Sequence, residues 1–384
     1  MQLLYLTHQL YSALDQNLDF TTVHLDIRKY FDRIWHDALL QKCEQRCGIT
    51  GTLLQWLRSY LSDRSQIVKI GNAFSKPQKL SAGVPQGSVL GPLLALIYLS
   101  DLSGMTENDV LYYADDSTLY TSHPHDSPVH ELALQRDLDT ISRFGIDWAI
   151  SFSGPKTIQQ TFTTKRDIRA PQLTFDGQRI QPVPSHKHLG LTFSTDLRFH
   201  DHVNTIIKTI NYQLGPVYAV AKFLPRQILC DIYTTYIQPH FDYCDVIYDC
   251  NISIADTTRL QTLHNRIARL ITGTMRRTST DRLLDELGWV RLQTRRKIHR
   301  LAYFHRLFYN NPPLPSYISS MLPDNKLNRA GKSLRSPMSL TNCKTRLSSF
   351  HNAFIPSTTR FWNQLSESVR QTTSVSSFSK LIWG

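Results

Sequence analysis

Three aspartates could do chemistry together. Asp115 and Asp116 stand side by side between two short β-prone runs, 110–113 and 117–121, with a connection too tight for anything but a hairpin. Asp26 closes a third such run, 20–25. Carboxylates gathered at neighbouring strand ends bind hard divalent cations. Two such cations, about 3.5–4 Å apart, activate a hydroxyl for attack on phosphorus and stabilise the departing pyrophosphate. Taken alone, the Asp115-Asp116 pair reads first as a solvated turn, where Asp bonds its own backbone. What decides between the two readings is the order of the residues around it.

The elements that must position these groups follow from periodicity. Leu3, Leu4, Leu6, Leu10 and Leu14 recur at helical spacing, and the strand 20–25 follows. Helices are expected over 35–47, with Asp32 or Asp37 as a cap, and over 53–61. The runs 65–70 and 77–81 read as a strand pair across Gly71-Asn72. A Gly/Pro-rich loop, Gly83-Val84-Pro85-Gln86-Gly87-Ser88, then feeds an apolar helix, 89–102, expected to be buried. A long helix over 129–150 and strands at 158–163, 173–175 and 189–193 complete a mixed α and β part. From His200 the pattern is helical, which sets a domain boundary near residue 200.

Val23-His24-Leu25-Asp26-Ile27-Arg28-Lys29-Tyr30-Phe31-Asp32 resembles the first palm motif of non-LTR retrotransposon reverse transcriptases, where Asp is followed five residues on by Phe and then Asp. Ala82-Gly83-Val84-Pro85-Gln86-Gly87-Ser88-Val89-Leu90-Gly91-Pro92 resembles the second. Tyr112-Tyr113-Ala114-Asp115-Asp116 is similar to the third, Pro155-Lys156-Thr157 to the lysine motif, and His188-Leu189-Gly190-Leu191 to the primer grip. Further on, Leu224-Pro225-Arg226, Leu287-Gly288-Trp289, Arg295-Arg296 and the run from Pro356 to Asn363 resemble the C-terminal region of jockey-like and chicken-repeat-one-like elements.

This resemblance implies an α+β chain: a polymerase palm, an antiparallel sheet packed on helices, over 1–199; a basic all-helical thumb over 200–311; and a partly loop-like C-terminal region over 312–384. It implies RNA-directed DNA synthesis with two Mg²⁺ or Mn²⁺ ions, an RNA template, a DNA primer and dNTPs. Asp26 and Asp115 are then the catalytic metal ligands, with Asp116 a weaker one and the Ile27 carbonyl an extra oxygen. Phe31 would lie under the incoming sugar and exclude a 2′-hydroxyl, the competing reading being a core side chain. Gln86 and the Cβ-free Gly87 would contact the nucleotide, and Lys156 the triphosphate or leaving pyrophosphate.

Members of that family carry basic finger strands before the first palm motif, and an endonuclease earlier still. The chain begins about one helix before that motif, so fingers are expected to be largely missing and Met1 to be internal to a longer reading frame. Tyr30 replaces a small residue, and Phe152-Ser153 stands where many relatives have an apolar residue and Asn. The competing function is a catalytically silent nucleic-acid-binding remnant; an intron maturase with the same palm fits the C-terminal motifs less well.

Composition agrees with a nucleic-acid partner: the formal charge is +12 and the sequence pI about 9.4. Twelve Arg or Lys lie between Arg259 and Arg306 against three acidic residues, with Trp289, Tyr303, Phe304 and Phe308 among or just beyond them. Six scattered cysteines suit a reducing compartment, and the pair Cys43 and Cys47 is read as ordinary thiols. The histidines at 186, 188, 200 and 202 are read as surface or template-side groups. No apolar run approaches the ~18 residues of a membrane span, and no secretory signal opens the chain, so a nuclear or cytoplasmic site is expected.

Overall fold

A computed structural model describes residues 1–274, 277–309, 313–324 and 339–383. The protein is α+β and divides into two compact units. One comprises Leu18–Val183; the other joins Leu3–Asn17 to the chain from Pro184 onward.

The first unit is built on a five-stranded sheet whose order is Gln181–Pro182, Ile158–Phe162, Asp19–Leu25, Asp116–His123, Asp109–Tyr113. All pairings are antiparallel except that of the short edge strand Gln181–Pro182. Asp19–Leu25 is central and every residue in it is buried. Alternation sends Val23 and Leu25 into the apolar core, with Leu119 from the next strand. His24 and Thr22 go to the opposite face, where Thr118 Oγ1 lies 3.2 Å from His24 Nδ1 and Thr22 Oγ1 3.2 Å from His24 Nε2. The hydroxyls of Thr22 and Thr118 and both ring nitrogens of His24 are thereby paired.

The core face is covered by helices. Pro128–Asp147 has Pro at its first turn and a stripe of Leu134, Leu138, Ile141 and Phe144 toward the sheet. His36–Gln45 and Leu90–Leu99 contribute Leu39, Cys43, Leu94, Ala95 and Tyr98 to the same core. Lys42 is buried between them, its Nζ donating to Tyr98 O at 2.6 Å, 3.2 Å from Asp101 Oδ2, and 3.7 Å from the Trp148 ring centroid. A carboxylate, a carbonyl and an aromatic face together offset the cost of burying an ammonium.

Several expectations need correction. The apolar helix, Leu90–Leu99, is buried on one face only: Leu93 is 54% and Leu96 44% exposed, because a helix packed on one side against His36–Gln45 turns its other side away. The expected strand pair is two short ladders, Ser65–Gln66 with Gln78–Lys79 and Lys69–Ile70 with Ala73–Phe74, the latter closing around Gly71 at φ +58°. Asp32 does not cap the helix that starts at His36; its carboxylate is used elsewhere.

The second unit carries a two-stranded hairpin, Ser185–His188 with Leu191–Ser194, and its other named elements among the described residues are helices. The hairpin turns through Leu189 and Gly190, both at positive φ. A Cβ on Gly190 would lie 2.9 Å from the Tyr243 ring, whose hydroxyl donates to Leu189 O at 2.5 Å. His200–Val220, Ile254–Thr272 and Leu292–Phe308 are its long helices. Ser253 caps the second by accepting from Asp256 N, and Gly273 ends it at φ +68°.

Three arginines of the basic stretch are spent inside this unit, while Arg259, Arg266, Arg282, Arg291 and Arg306 are exposed. Arg295 forks onto Asp242 with two 2.7 Å bonds, Arg296 donates to Asp249 at 2.7 Å while only 2% exposed, and Arg300 donates to Ser357 Oγ at 2.5 Å. His188 and His202, expected at the surface, are buried; desolvation pushes both down to about 4, so they are neutral at physiological pH. Of the tail read as loop-like, about 312–349, residues 312 and 325–338 lie outside the described residues; the described part is mostly irregular, with the short helix Ser316–Ser319 and the start of Ser348–Asn352.

Candidate active site

Register brings the aspartates together. Leu25 pairs with Ser117, so Asp26, the next residue, leaves the central strand beside Asp116. Tyr113 pairs with Asp116 across a two-residue turn, Ala114-Asp115, with Ala114 at φ +56°. An alanine held there costs roughly 1 kcal/mol, strain that fixes where Asp115 projects.

The three acidic groups feel one another. Burial, then the charge of Asp115, then that of Asp26, pushes the Asp116 carboxyl up from the ordinary carboxylate value. That mutual repulsion is what a bound cation relieves, so the donor set fits hard divalent ions. Among the described residues, the trio is more open than a cluster with all ligand atoms within 4.8 Å.

Asp26 is held from behind. Its carbonyl accepts from Ser153 N and Arg28 N donates to Ser151 O, both at 2.8 Å, so Ile27 bridges Phe152. These bonds use the carbonyl of 26 and the amide of 28, leaving the Ile27 carbonyl outside the pair, while the Ile27 side chain is buried. Phe152 thus has a packing role, edge-on to Phe175 at 5.7 Å. The same segment runs into the short turn Gly154–Lys156, which sets Lys156 Nζ 3.2 Å from Asp26 Oδ2.

After Asp26 the chain passes Lys29, at φ +48°, into the short helix Tyr30–Arg33. Tyr30 is buried, burial pushes its hydroxyl strongly up, and it donates to Ala95 O. Phe31 is half-buried, packed on the core and edge-on to Tyr30 at 5.7 Å.

The Gly/Pro loop is bonded directly to this helix. Val84 N donates to Phe31 O and Gly83 N to Ile34 O, both at 2.8 Å, and His36 Nε2 lies 2.7 Å from Gly83 O. Gly83 sits at φ +93°, and a Cβ there would come within 2.9 Å of Asp32 O. Gln86 Nε2 donates to Asp32 Oδ1 at 2.8 Å. Gly87, at φ +80°, has open space around the missing Cβ, which leaves its backbone approachable.

Sequence reasoning missed three contributors. Asp137, 2% exposed, accepts from Glu107 N at 2.7 Å, Asn108 N at 2.9 Å and Asn108 Nδ2 at 2.7 Å, anchoring the root of the acidic hairpin. Its only signal was an acid on the apolar stripe of a helix. Asp32 was visible in the first motif, but its link to Gln86 spans 54 residues. Arg64 was unremarkable in sequence, yet with Lys29, Arg33 and His36 it lines a cleft of about 780 Å³ floored by Gly83–Gln86.

Residues 6–193 match the family described as reverse transcriptase (RNA-dependent DNA polymerase). Fold, motif order and this match define the class: the chain carries a reverse transcriptase domain. It is 30% identical over 346 residues to the probable RNA-directed DNA polymerase from transposon X-element of Drosophila melanogaster, covering 85% of this chain and 36% of that one. To the RNA-directed DNA polymerase from mobile element jockey of Drosophila funebris it is 30% identical over 264 residues, 65% of this chain and 28% of that one. Within the class, then, the chain is similar to the RNA-directed DNA polymerases of these mobile elements. It spans about a third of the length of these relatives. Among solved structures, telomerase from Candida albicans in complex with a TWJ fragment of telomeric RNA aligns at TM-score 0.40 and 13% identity, over 77% of this chain and 46% of that one.

Proposed function

We propose that this chain extends a DNA primer on an RNA template. The observation that carries the reading is the strand register that delivers Asp26, Asp115 and Asp116 to one end of the sheet. The reverse transcriptase family uses divalent metal ions; here Asp26 and Asp115 would hold two Mg²⁺ or Mn²⁺, with Asp116 as the weaker ligand and the Ile27 carbonyl as an extra oxygen. Such ions lower the pKa of the attacking hydroxyl and offset charge on the leaving group.

The chain's own residues then do the positioning. Asp32 orients Gln86, whose remaining amide donor and acceptor face the nucleotide, and Gly87 lets the backbone approach it. Phe31 fills the space a 2′-hydroxyl would need and so favours dNTPs. Lys156 steadies the triphosphate and protonates pyrophosphate as it leaves.

On this reading the palm covers 1–199, the helical thumb 200–311 and the C-terminal region 312–384. Among the described residues no helix is long and apolar enough to cross a membrane. The work of such an enzyme lies in the nucleus or cytoplasm.

The test is dTTP incorporation by the purified chain on poly(rA) primed with oligo(dT), with Mg²⁺ or Mn²⁺ supplied. Incorporation is expected. None, with RNA binding retained, would leave the binding remnant as the better account.

A further inference from the structure

We propose that the helix Gly51–Leu61 and the hairpin after it form a stacking surface for a single-stranded RNA segment. A base lies against Trp56, whose ring Tyr60 backs, and phosphates face Arg64, Lys69, Lys76 and Lys79. Only the choice of RNA over DNA rests on the polymerase reading.

The helix disposes its side chains in a telling way. Leu57 and Leu61 go to the core, while Trp56 is 52% exposed. Trp56 and Tyr60, one turn apart, stack at 5.5 Å between centroids with planes 13° apart. Arg64 continues the column off the helix end, its guanidinium carbon 5.5 Å from the Tyr60 ring centroid and its Nη1 donating to Tyr60 O at 3.3 Å. In this Trp–Tyr–Arg column Tyr60 is half-buried against the core, so the open π surface is that of Trp56, backed by Tyr60 and a cation, a composition that binds unpaired bases irrespective of sequence.

The hairpin supplies charge. Residues 65–79 are all exposed, and its apolar members Val68, Ile70 and Phe74 are between 59% and 77% exposed. Lys69 Nζ lies 5.3 Å from the Phe74 ring centroid, repeating the pairing of cation and aromatic. No acidic residue occurs between Asp63 and Asp101, so the surface complements a polyanion rather than an acidic or mixed protein face.

Placement supports a strand that leads somewhere. Arg64 belongs both to the column and to the cleft that runs to the Gly83–Gln86 loop. The one carboxylate lining that cleft, Asp32, accepts from Gln86. A strand lying on the column therefore meets a cationic path toward the proposed nucleotide site.

The experiment is fluorescence anisotropy of the full chain with fluorescein-labelled single-stranded oligo(rA), and with a labelled DNA duplex as control. Trp56→Ala should weaken oligo(rA) binding about tenfold, the effect of losing one base–aromatic stack, while duplex binding stays put. Trp56→Phe should retain most of the affinity. Replacing Lys69, Lys76 and Lys79 by Gln should flatten the salt dependence of oligo(rA) binding, each phosphate contact contributing about 0.7 to the log–log slope. Unchanged oligo(rA) binding in Trp56→Ala, or equal weakening toward the duplex, would overturn the proposal. Failure of the polymerase reading shows separately, as absent incorporation by wild type while Trp56-dependent oligo(rA) binding persists.

Discussion

Lys156 Nζ stands 3.2 Å from Asp26 Oδ2, so one of the proposed nucleotide contacts is also the counter-ion of a proposed metal ligand. On the proposed reading, an ammonium there would compete with a divalent cation and would be released toward the triphosphate when the cation took its place. Lys156→Gln should therefore lower the Mg²⁺ concentration giving half-maximal extension. It should also raise KM for dNTP about tenfold, the low end for a charge-assisted bond because Lys156 is 69% exposed. Steady-state titrations of Mg²⁺ and dNTP check both; if neither moves, the pair is only a surface contact.

Gly83→Ala tests the coupling of the two motif loops. The new methyl would meet Asp32 O at 2.9 Å from a backbone at φ +93°. A loss of about 1–3 kcal/mol is expected in urea denaturation, with slower extension because Gln86 moves off Asp32. Gly87→Ala, strained at φ +80° but with nothing to strike, should cost less stability. Equal losses would remove the steric part of the argument.

Phe31→Ala should admit ribonucleotides about tenfold better or more, because exclusion by bulk disappears with the bulk. Its half-buried ring rests on Tyr30 and the core, so some destabilisation accompanies the change. Single-nucleotide incorporation of dNTP and NTP, compared as kcat/KM, separates the two effects. The same discrimination in variant and wild type would make Phe31 a core residue alone.

Acid should loosen the helical unit. His188, His202 and His264 are buried, and burial pushes each from 6.5 down to about 4. Their folded forms prefer the neutral ring, so nothing is lost above pH 6.5. Between 6.5 and about 4 the unfolded chain takes up protons that the folded one refuses, and stability falls by at most about 1.4 kcal/mol per pH unit for each histidine. His202→Gln should make this acid limb shallower in thermal melts followed across that window. A slope unaffected by the change would place the acid sensitivity elsewhere.

Local pattern carried much of this architecture. The strand 20–25, the tight turn before Asp116 and the Gly/Pro loop all obey rules that act over a few residues, and the structure has Asp19–Leu25, a two-residue turn and Gly83 at φ +93°. What escaped was long-range pairing. The Arg295–Asp242 and Arg296–Asp249 pairs span 53 and 47 residues, so part of a basic stretch that reads as a nucleic-acid surface serves as internal scaffold, while Arg259, Arg266, Arg282, Lys297 and Arg306 stay exposed. Lys42 and Asp137 look like solvated charges until their partners arrive from Tyr98 and Asn108. The exposed side of Leu90–Leu99 was hidden for the converse reason, since an all-apolar helix has no polar face to mark the outside.

The central claim is that the acidic hairpin performs nucleotidyl transfer, and Asp115→Asn tests it most directly. The substitution keeps the size of the side chain and the turn while removing a charge that holds the cations. Primer extension on poly(rA) with Mg²⁺ or Mn²⁺ should fall by about a thousandfold or more, since metal-bound oxygens contribute several kcal/mol to the transition state. Affinity for the RNA, measured on the same preparation, should stay at the wild-type value. Extension by Asp115→Asn at the wild-type rate would contradict the account.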